Sequence, residues 1–419
     1  MITVLIAVFF ILLVLAVPVA HSLVIASGAA ILYSGEFPVM LVAQQMVNQT
    51  LSFPMLALPF FILSGSLMMS GTLGDKLIGF ATELVQRFYG GLGSVTVLGS
   101  CVFGGVSGSA VADATALGGM LIPWQIREGY PPGFTAANNS AAATIAILIP
   151  PSIPFILYSL VSNVSIADLF LAGLLPGILL TTGFTSVCYF SARIRNFPLN
   201  KTPFDAQKCR KLFITALPAL VMPLMILVLL RFGFATPTEV SVIAVFYALF
   251  AGVFIYRDMT VKRFLSALLA AGIATGVVML VIMGSAIVGW MMTYAQVPQI
   301  FAQWCLSTLK DPWLIILAMV LIMLVAGMFI DLPAAILLLG PIFVPLAESI
   351  QFNLTTLGLV MVLTLAIGLY TPPVGTTLFI SSSVARVSIL KASRELVPYY
   401  VIALGCTLAI AYIPALTLT

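Results

Sequence analysis

Apolar residues run through this chain in blocks long enough to be helices and nowhere alternate with period two, so the pattern predicts an all-α protein. Continuous blocks near residues 2–17, 18–35, 53–72, 134–160, 168–190, 212–231, 237–256, 265–294, 355–383 and 396–416 read as about ten spans. Two further blocks, 92–126 and 313–349, are interrupted near their middles by Gly, Ser, Asp or Pro. They read as re-entrant helical hairpins that enter and leave on one side. The longest polar stretch, 191–211, is the natural linker between two halves.

Those halves repeat. At an offset of 222 residues, Gly105 falls on Gly327, Gly118 on Gly340, Pro123 on Pro345, Pro150-Pro151 on Pro372-Pro373 and Pro176 on Pro398. Earlier in each half the offset is 219, which brings Pro18 onto Pro237, Ser22 onto Ser241 and Gly65-Ser66 onto Gly284-Ser285. Gly and Pro mark backbone requirements, so the halves are expected to bend at the same places. The first half covers 1–190, with scaffold spans in 1–72, a hairpin at 92–126 and a broken span at 134–160. After the basic linker 191–211, the second covers 212–419, with scaffold spans in 212–294, a hairpin at 313–349 and a broken span at 355–383.

Composition names the solvent. Only 7% of the 419 residues are charged and 62% are hydrophobic, too little charge to cover a water-soluble domain of this length. In lipid every backbone polar group must be satisfied internally, which leaves helices or closed barrels, and the apolar runs select helices. With the N-terminus outside, fifteen of the 17 Lys and Arg fall in inner loops (Lys76, Arg87, Arg127, Arg193, Arg195, Lys201, Lys208, Arg210, Lys211, Arg257, Lys262, Arg263, Arg386, Lys391, Arg394), and only Arg231 and Lys310 fall outside. Basic residues concentrate in cytoplasmic loops, so both termini are placed in the periplasm of a multi-pass inner-membrane protein. Partnered halves then run in opposite directions, the inverted repeat associated with secondary transporters. The start at Met1-Ile2-Thr3 shows no cleavable signal. The five cysteines lack CxxC spacing and the single histidine, His21, cannot build a histidine-based metal site.

Candidate chemistry lies at four breaks: Gly104-Gly105-Val106-Ser107-Gly108-Ser109, Ile149-Pro150-Pro151-Ser152-Ile153-Pro154, Asp331-Leu332-Pro333 and Gly368 to Thr377 around Pro372-Pro373. Adjacent prolines remove two backbone donors and leave nearby carbonyls without partners, a hard-oxygen environment suited to Na⁺. Asp113 and Asp331 sit within the hairpins, where an ionisable group costs roughly 2.5–3.5 kcal/mol on insertion scales. Each could bind Na⁺, carry a proton or cap a helix. No Lys or Arg occurs between residues 132 and 190 or 313 and 385. An anionic solute would therefore meet helix N-termini and neutral donors, for which Ser109, Asn138, Asn139, Ser152, Thr376 and Thr377 are the candidates. Asn138-Asn139-Ser140 reads equally as polar glue between helices. Gly105-Val106-Ser107-Gly108 fits the GxSG pattern of intramembrane serine proteases, but His21 lies on another span and no lysine is in the membrane core, so an enzyme is not expected.

At these motifs the sequence resembles the large membrane subunit of tripartite ATP-independent periplasmic (TRAP) transporters. The resemblance rests on Pro59 to Gly65 (PFFILSG), Ser107 to Asp113 (SGSAVAD), Ile149 to Phe155 (IPPSIPF), Thr236-Pro237-Thr238-Glu239, Gly327 to Asp331 (GMFID) and Thr371 to Gly375 (TPPVG). It implies an elevator-type carrier of the ion transporter superfamily, driven by two Na⁺ ions and importing an organic acid of the sialic acid, C4-dicarboxylate or sugar-acid class. It also implies a small four-helix membrane subunit, here expected as a separate chain, and a periplasmic substrate-binding protein; no nucleic acid is involved. By the resemblance, the first Na⁺ site maps onto Ser107 and Asp113 with carbonyls around Ala146, Ile149 and Pro151. The second maps onto Gly327, Asp331, Gly368, Thr371 and Val374, with the solute held between the hairpin tips. One departure is that the tips differ, Ser-Gly-Ser against Asp-Leu-Pro. The alternative expectation is a stand-alone Na⁺-coupled carboxylate carrier without a binding protein.

Overall fold

Proline and capping residues set the helix boundaries. Pro18 precedes α2, Pro132 opens α8, Pro312 opens α15, and Thr236 and Glu239 form a reciprocal capping box at the start of α12. The computed structural model describes residues 1–199, 205–413 and 416, and among these it contains no strand. Lys201, counted above in the basic linker, lies outside them.

The first half comprises α1 (Ile2–Val14), α2 (Val19–Ser34), α3 (Met40–Thr50), α4 (Ala57–Met69), α5 (Leu73–Val85), α6 (Gly91–Ser107), α7 (Ala110–Arg127), α8 (Pro132–Ala142), α9 (Ile153–Ser162) and α10 (Ile166–Arg195). The second comprises α11 (Ala206–Arg231), α12 (Pro237–Phe250), α13 (Val261–Tyr294), α14 (Val297–Leu309), α15 (Pro312–Gly327), α16 (Leu332–Ser349), α17 (Leu354–Leu369), α18 (Thr376–Ala385), α19 (Ile389–Glu395) and α20 (Val397–Tyr412). The helix pairs α6–α7 and α15–α16 fall on the blocks read as hairpins, and α8–α9 and α17–α18 on those read as broken spans. Among the described residues, five helices are individually long and apolar enough to cross a bilayer, or up to seven spans if two bent pairs are each taken as one.

Several expected elements differ. The block at 53–72 is a short 3-10 turn and the 13-residue α4, followed after a 71° bend by α5. The amphipathic helices α3, α5 and α14 were not anticipated, because their polar faces break the apolar runs that identified the others. α13, by contrast, runs unbroken for 34 residues where the first half divides into α3 and α4.

Two packing groups emerge. In one, α4 lies against α12 and α13, α2 against α13 and α1 on α2. In the other the halves cross over: α7 of the first hairpin packs on α18, and α16 of the second packs on α9. Each hairpin's first arm lies on its own broken span, α6 on α8 and the 3-10 stretch Ala143–Ile147, α15 on α17. α10 packs on α6 and α20 on α17, while the two groups meet where α13 packs on α16, α4 on α6 and Phe61 of α4 on Phe170 of α10.

The bend between α4 and α5 is held by Asp258, from the loop before α13. Its carboxylate accepts hydrogen bonds from the Thr72 amide (2.6 Å) and hydroxyl (2.8 Å) and faces Arg263 at 3.7 Å. Burial opposes charge on Asp258, but the two Thr72 donors, then Arg263 and Lys76, outweigh it and hold the carboxyl below its ordinary value. A depressed folded-state pKa gives stability that is present above the ordinary carboxylate pKa and lost as pH falls through the folded value. Asp258→Ala should therefore cost about 1–3 kcal/mol at neutral pH by stranding the Thr72 amide. The melting-temperature gap to wild type should narrow as the pH falls below about 4; a gap constant from pH 7 to pH 3 would contradict this account.

Candidate functional site

The two breaks and the two hairpin tips meet backbone to backbone. A methyl group at Gly104 would sit 2.4 Å from Ala146 Cα, and one at Gly108, where φ is +59°, would sit 2.2 Å from the Pro151 carbonyl oxygen. Only glycine allows the first tip to lie on the break this closely. In the second half a methyl at Gly368 would sit 2.2 Å from the Gly327 carbonyl oxygen, and Val374 N–H donates to Met328 O at 3.3 Å. Both breaks contain a cis peptide, Pro150-Pro151 and Pro372-Pro373.

At the first junction the hydrogen bonds of the break end on the carbonyls of Ile145, from Leu148 N–H, and Ile147, from the Ser152 hydroxyl. The carbonyls of Ala146, Ile149 and Pro151, the three expected ligands, are not their acceptors. Asp113 stands in the first turn of α7, fully buried. Its Oδ2 accepts from the Ser100 hydroxyl on α6 at 2.6 Å, while Oδ1 is buried without any partner. A carboxylate with an idle, desolvated oxygen, on a helix that packs on the 3-10 stretch Ala143–Ile147, is a donor that fits a small hard cation. Among the described residues no group of three or more His, Cys, Asp or Glu is placed to hold a metal, so an ion here would rely on carbonyl and hydroxyl oxygens.

The second junction is not a copy. The Gly368 carbonyl accepts from Thr371 N–H at 3.0 Å, and the Thr371 hydroxyl donates to Ile367 O at 2.6 Å. Asp331 occupies the N-cap position of α16 but makes no capping hydrogen bond. Its side chain instead lines a cavity of about 300 Å³ between the tips, with Ser109, Val111, Ile153, Val278 and Pro333. Asp113 therefore does not cap α7, whereas Asp331 stands at the N-cap of α16 with the Leu332 N–H facing its carboxylate. From this cavity a larger crevice, about 610 Å³, runs between α4, α7 and α13 and carries Ser66, Ser70, Ser107, Ser109, Thr115 and Ser266.

The six candidate donors separate. Ser109 faces both the cavity and the crevice and caps α7 through Ala112 N–H. Ser152 is fully buried and caps α9 through Phe155 N–H. Thr377 donates to Ser140 O at 3.1 Å and Leu369 O at 2.9 Å, tying α18 to the first half, and the Thr376 hydroxyl is buried without a partner. Asn138 is spent on structure: its amide donates to Gly93 O at 2.9 Å, and its oxygen accepts from Tyr399 at 3.0 Å and Cys188 at 3.2 Å. Asn139 donates to Ala114 O and Ser381, again between helices, and lines neither the cavity nor the crevice. For both asparagines the structure gives the interhelical role. Ser100, which orients Asp113 across the two arms of the hairpin, was missed, because it lies well back along α6 while Asp113 lies in the first turn of α7, so sequence spacing does not pair them.

Residues 6–416 match the family model described as tripartite ATP-independent periplasmic transporter, DctM component. Protein y4mL of Sinorhizobium fredii is 54% identical over 99% of this chain and 99% of its own length. The C4-dicarboxylate TRAP transporter large permease protein DctM of Pseudomonas aeruginosa is 36% identical over 87% of this chain and 86% of its own. Among solved structures, the Alcanivorax borkumensis YdaH transporter superposes with a TM-score of 0.65, covering 90% of this chain and 89% of its own at 16% identity, a likeness of fold.

Proposed function

We propose that this chain, which belongs to the DctM component family of tripartite ATP-independent periplasmic transporters, is the large permease subunit of a Na⁺-driven importer of an organic acid. The family implies a small permease subunit and a periplasmic binding protein as partners. The observation that supports Na⁺ coupling is the buried, unpartnered Oδ1 of Asp113; the carbonyls of Ala146, Ile149 and Pro151 would complete that ion's shell. Asp331, Gly368, Thr371 and Val374 would hold a second ion, which orders the second tip against its break. Na⁺ supplies charge that each aspartate lacks a partner for; the chain's residues close the tips around the solute.

The packing supports an elevator motion. The crossed hairpins and broken spans form one body, to which α10 and α20 attach, while α2, α4, α12 and α13 form the other. The moving body would thus take in 168–190 and 396–416 along with the hairpins and broken spans. Coupling requires that the ions bind the solute-competent arrangement better than the alternative. The solute is an organic acid of the sialic acid, C4-dicarboxylate or sugar-acid class, taken up across the inner membrane with both termini in the periplasm.

Uptake into proteoliposomes holding this chain and its small partner tests the reading, with and without an inward Na⁺ gradient and with the binding protein added or omitted. Uptake that needs both is expected. Uptake driven by Na⁺ alone would make the chain a stand-alone carrier, and uptake indifferent to Na⁺ would remove the role given to the broken helices.

A further inference from the structure

The repeat has a consequence beyond the tip cavity. The crevice on the basic end is lined by Gly65, Ser66 and Ser70 of α4, with Ser266 and Ala270 of α13. Under the offset of 219 that relates the early parts of the halves, Ser66 corresponds to Ser285 and Ser70 to Gly289. Both Ser285 and Gly289 line a separate cavity of about 220 Å³ at the opposite end of α13, bounded by α3, α9 and α16. The two openings are mates under the internal symmetry, one on each side of the tip cavity. The mate on the far side is narrower and differently furnished. Its wall holds Gln49, Trp290 and Thr293, where the repeat has Leu268, Gly71 and Gly74. It contains no acidic residue, and the Ser285 hydroxyl, 3% exposed, has no partner.

Resting on the transport reading above, we propose that this second crevice is a first-contact site for the solute, binding its carboxylate or sulfonate through neutral donors before the hairpin tips engage it. Inverted symmetry explains why a crevice exists there; it does not explain why an amide, an indole and a hydroxyl replace an aliphatic side chain and two glycines. Gln49 presents N–H donors and Ser285 an unpartnered hydroxyl, while the Thr293 hydroxyl donates to Gly289 O at 2.8 Å and only lines the wall; such neutral donors hold a carboxylate without the tight grip of an arginine. A weak site suits a station that must hand its ligand on. The aromatic packing behind it, with Trp290 stacked on Tyr294 at 5.6 Å and edge-on to Phe37 at 5.1 Å, fixes the indole at the rim. Because the crevice involves neither Asp113 nor Asp331, binding there needs no Na⁺.

The test is intrinsic fluorescence of the purified complex with its small subunit in Na⁺-free buffer, titrated with the choline salts of succinate, isethionate and N-acetylneuraminate, against choline chloride of equal ionic strength. A saturable change with at least one of these anions and none with chloride is expected. Trp290→Phe should remove it, and Gln49→Leu, which installs the repeat partner's residue, and Gln49→Glu, which installs a repelling charge at equal size, should each weaken binding at least tenfold. Asp331→Ala should leave the response intact. A response that survives both Gln49 variants, or one matched by chloride, overturns the proposal, as does the absence of any saturable response. Wild-type uptake that ignores Na⁺ would instead sink the transport reading, whatever the fluorescence shows.

Discussion

Asp113→Asn is expected to remove the first ion's share of this transporter's Na⁺ response while leaving the ion-free protein at least as stable as the wild type. Asparagine keeps the volume and accepts the Ser100 hydrogen bond at the retained oxygen, so the contact at 2.6 Å survives. What disappears is the charge on a carboxyl that is fully buried and half unpartnered. Removing one member of a buried opposite-charge pair costs about 3–5 kcal/mol. At 1.4 kcal/mol per decade this weakens Na⁺ binding by more than about 100-fold. Two measurements follow from it. In wild type, melting temperature should climb with Na⁺, and at an ion concentration about 100 times the dissociation constant the gain approaches 2.7 kcal/mol. In the variant the rise should shrink to the part contributed by the second ion, and Na⁺-driven uptake should fall by a similar factor of about 100 at sub-saturating Na⁺. A variant that melts and transports with the same Na⁺ dependence as wild type would exclude Asp113 as an ion ligand.

The variant separates two explanations of the idle oxygen that the sequence left open. A proton carrier would lose transport on the same substitution without any Na⁺-dependent stabilisation in the wild type to begin with. Helix capping is already excluded, because the carboxyl points to Ser100 across the hairpin and the capping bond of α7 comes from Ser109.

How much of this was legible in the sequence follows from which residues do the work. Glycine and proline announce their backbone demands, so the hairpin tips, the Pro-Pro breaks and the repeat could be read from spacing alone. The aspartates were legible because a carboxylate in an apolar run has few innocent explanations. The helices α3, α5 and α14 were not, since Asp75, Lys76, Glu83 and Gln86 make α5 look like a loop between spans. Their placement depends on tertiary contacts: Glu83, 3% exposed, pairs not only with Arg87 one turn on at 3.2 Å but with Lys208 at 3.0 Å, which only the packing of α5 on α11 brings about. The asparagines show the same limit from the other side. Asn138 and Asn139 have the chemistry of ligands, and the partners that occupy them, Tyr399 and Ser381, lie more than 240 residues away in sequence.

The second large effect is expected from a single methyl group. Gly368→Ala should prevent the second break from closing on its hairpin, with a loss of folded complex and of all Na⁺-driven uptake. The added Cβ would lie 2.2 Å from the Gly327 carbonyl oxygen, 2.3 Å from its carbonyl carbon and 2.6 Å from its Cα. All three are backbone atoms, so no rotamer change relieves the contact. Overpacking a core typically costs 1–3 kcal/mol even where side chains can yield, and here about 3 kcal/mol is a lower bound. The clash would also push Thr371 and Val374 away from Gly327, dispersing the proposed second ion site. Gly119→Ala is the control: it lies within a helix, the hairpin arm α7, but a methyl there meets nothing within 4 Å. Alanine favours a helix over glycine by up to about 1 kcal/mol, so that variant should melt at or slightly above the wild-type temperature. If Gly368→Ala folded and transported like Gly119→Ala, the close approach of Gly327 and Gly368 would have no part in building the site, and the second ion would have to be held elsewhere.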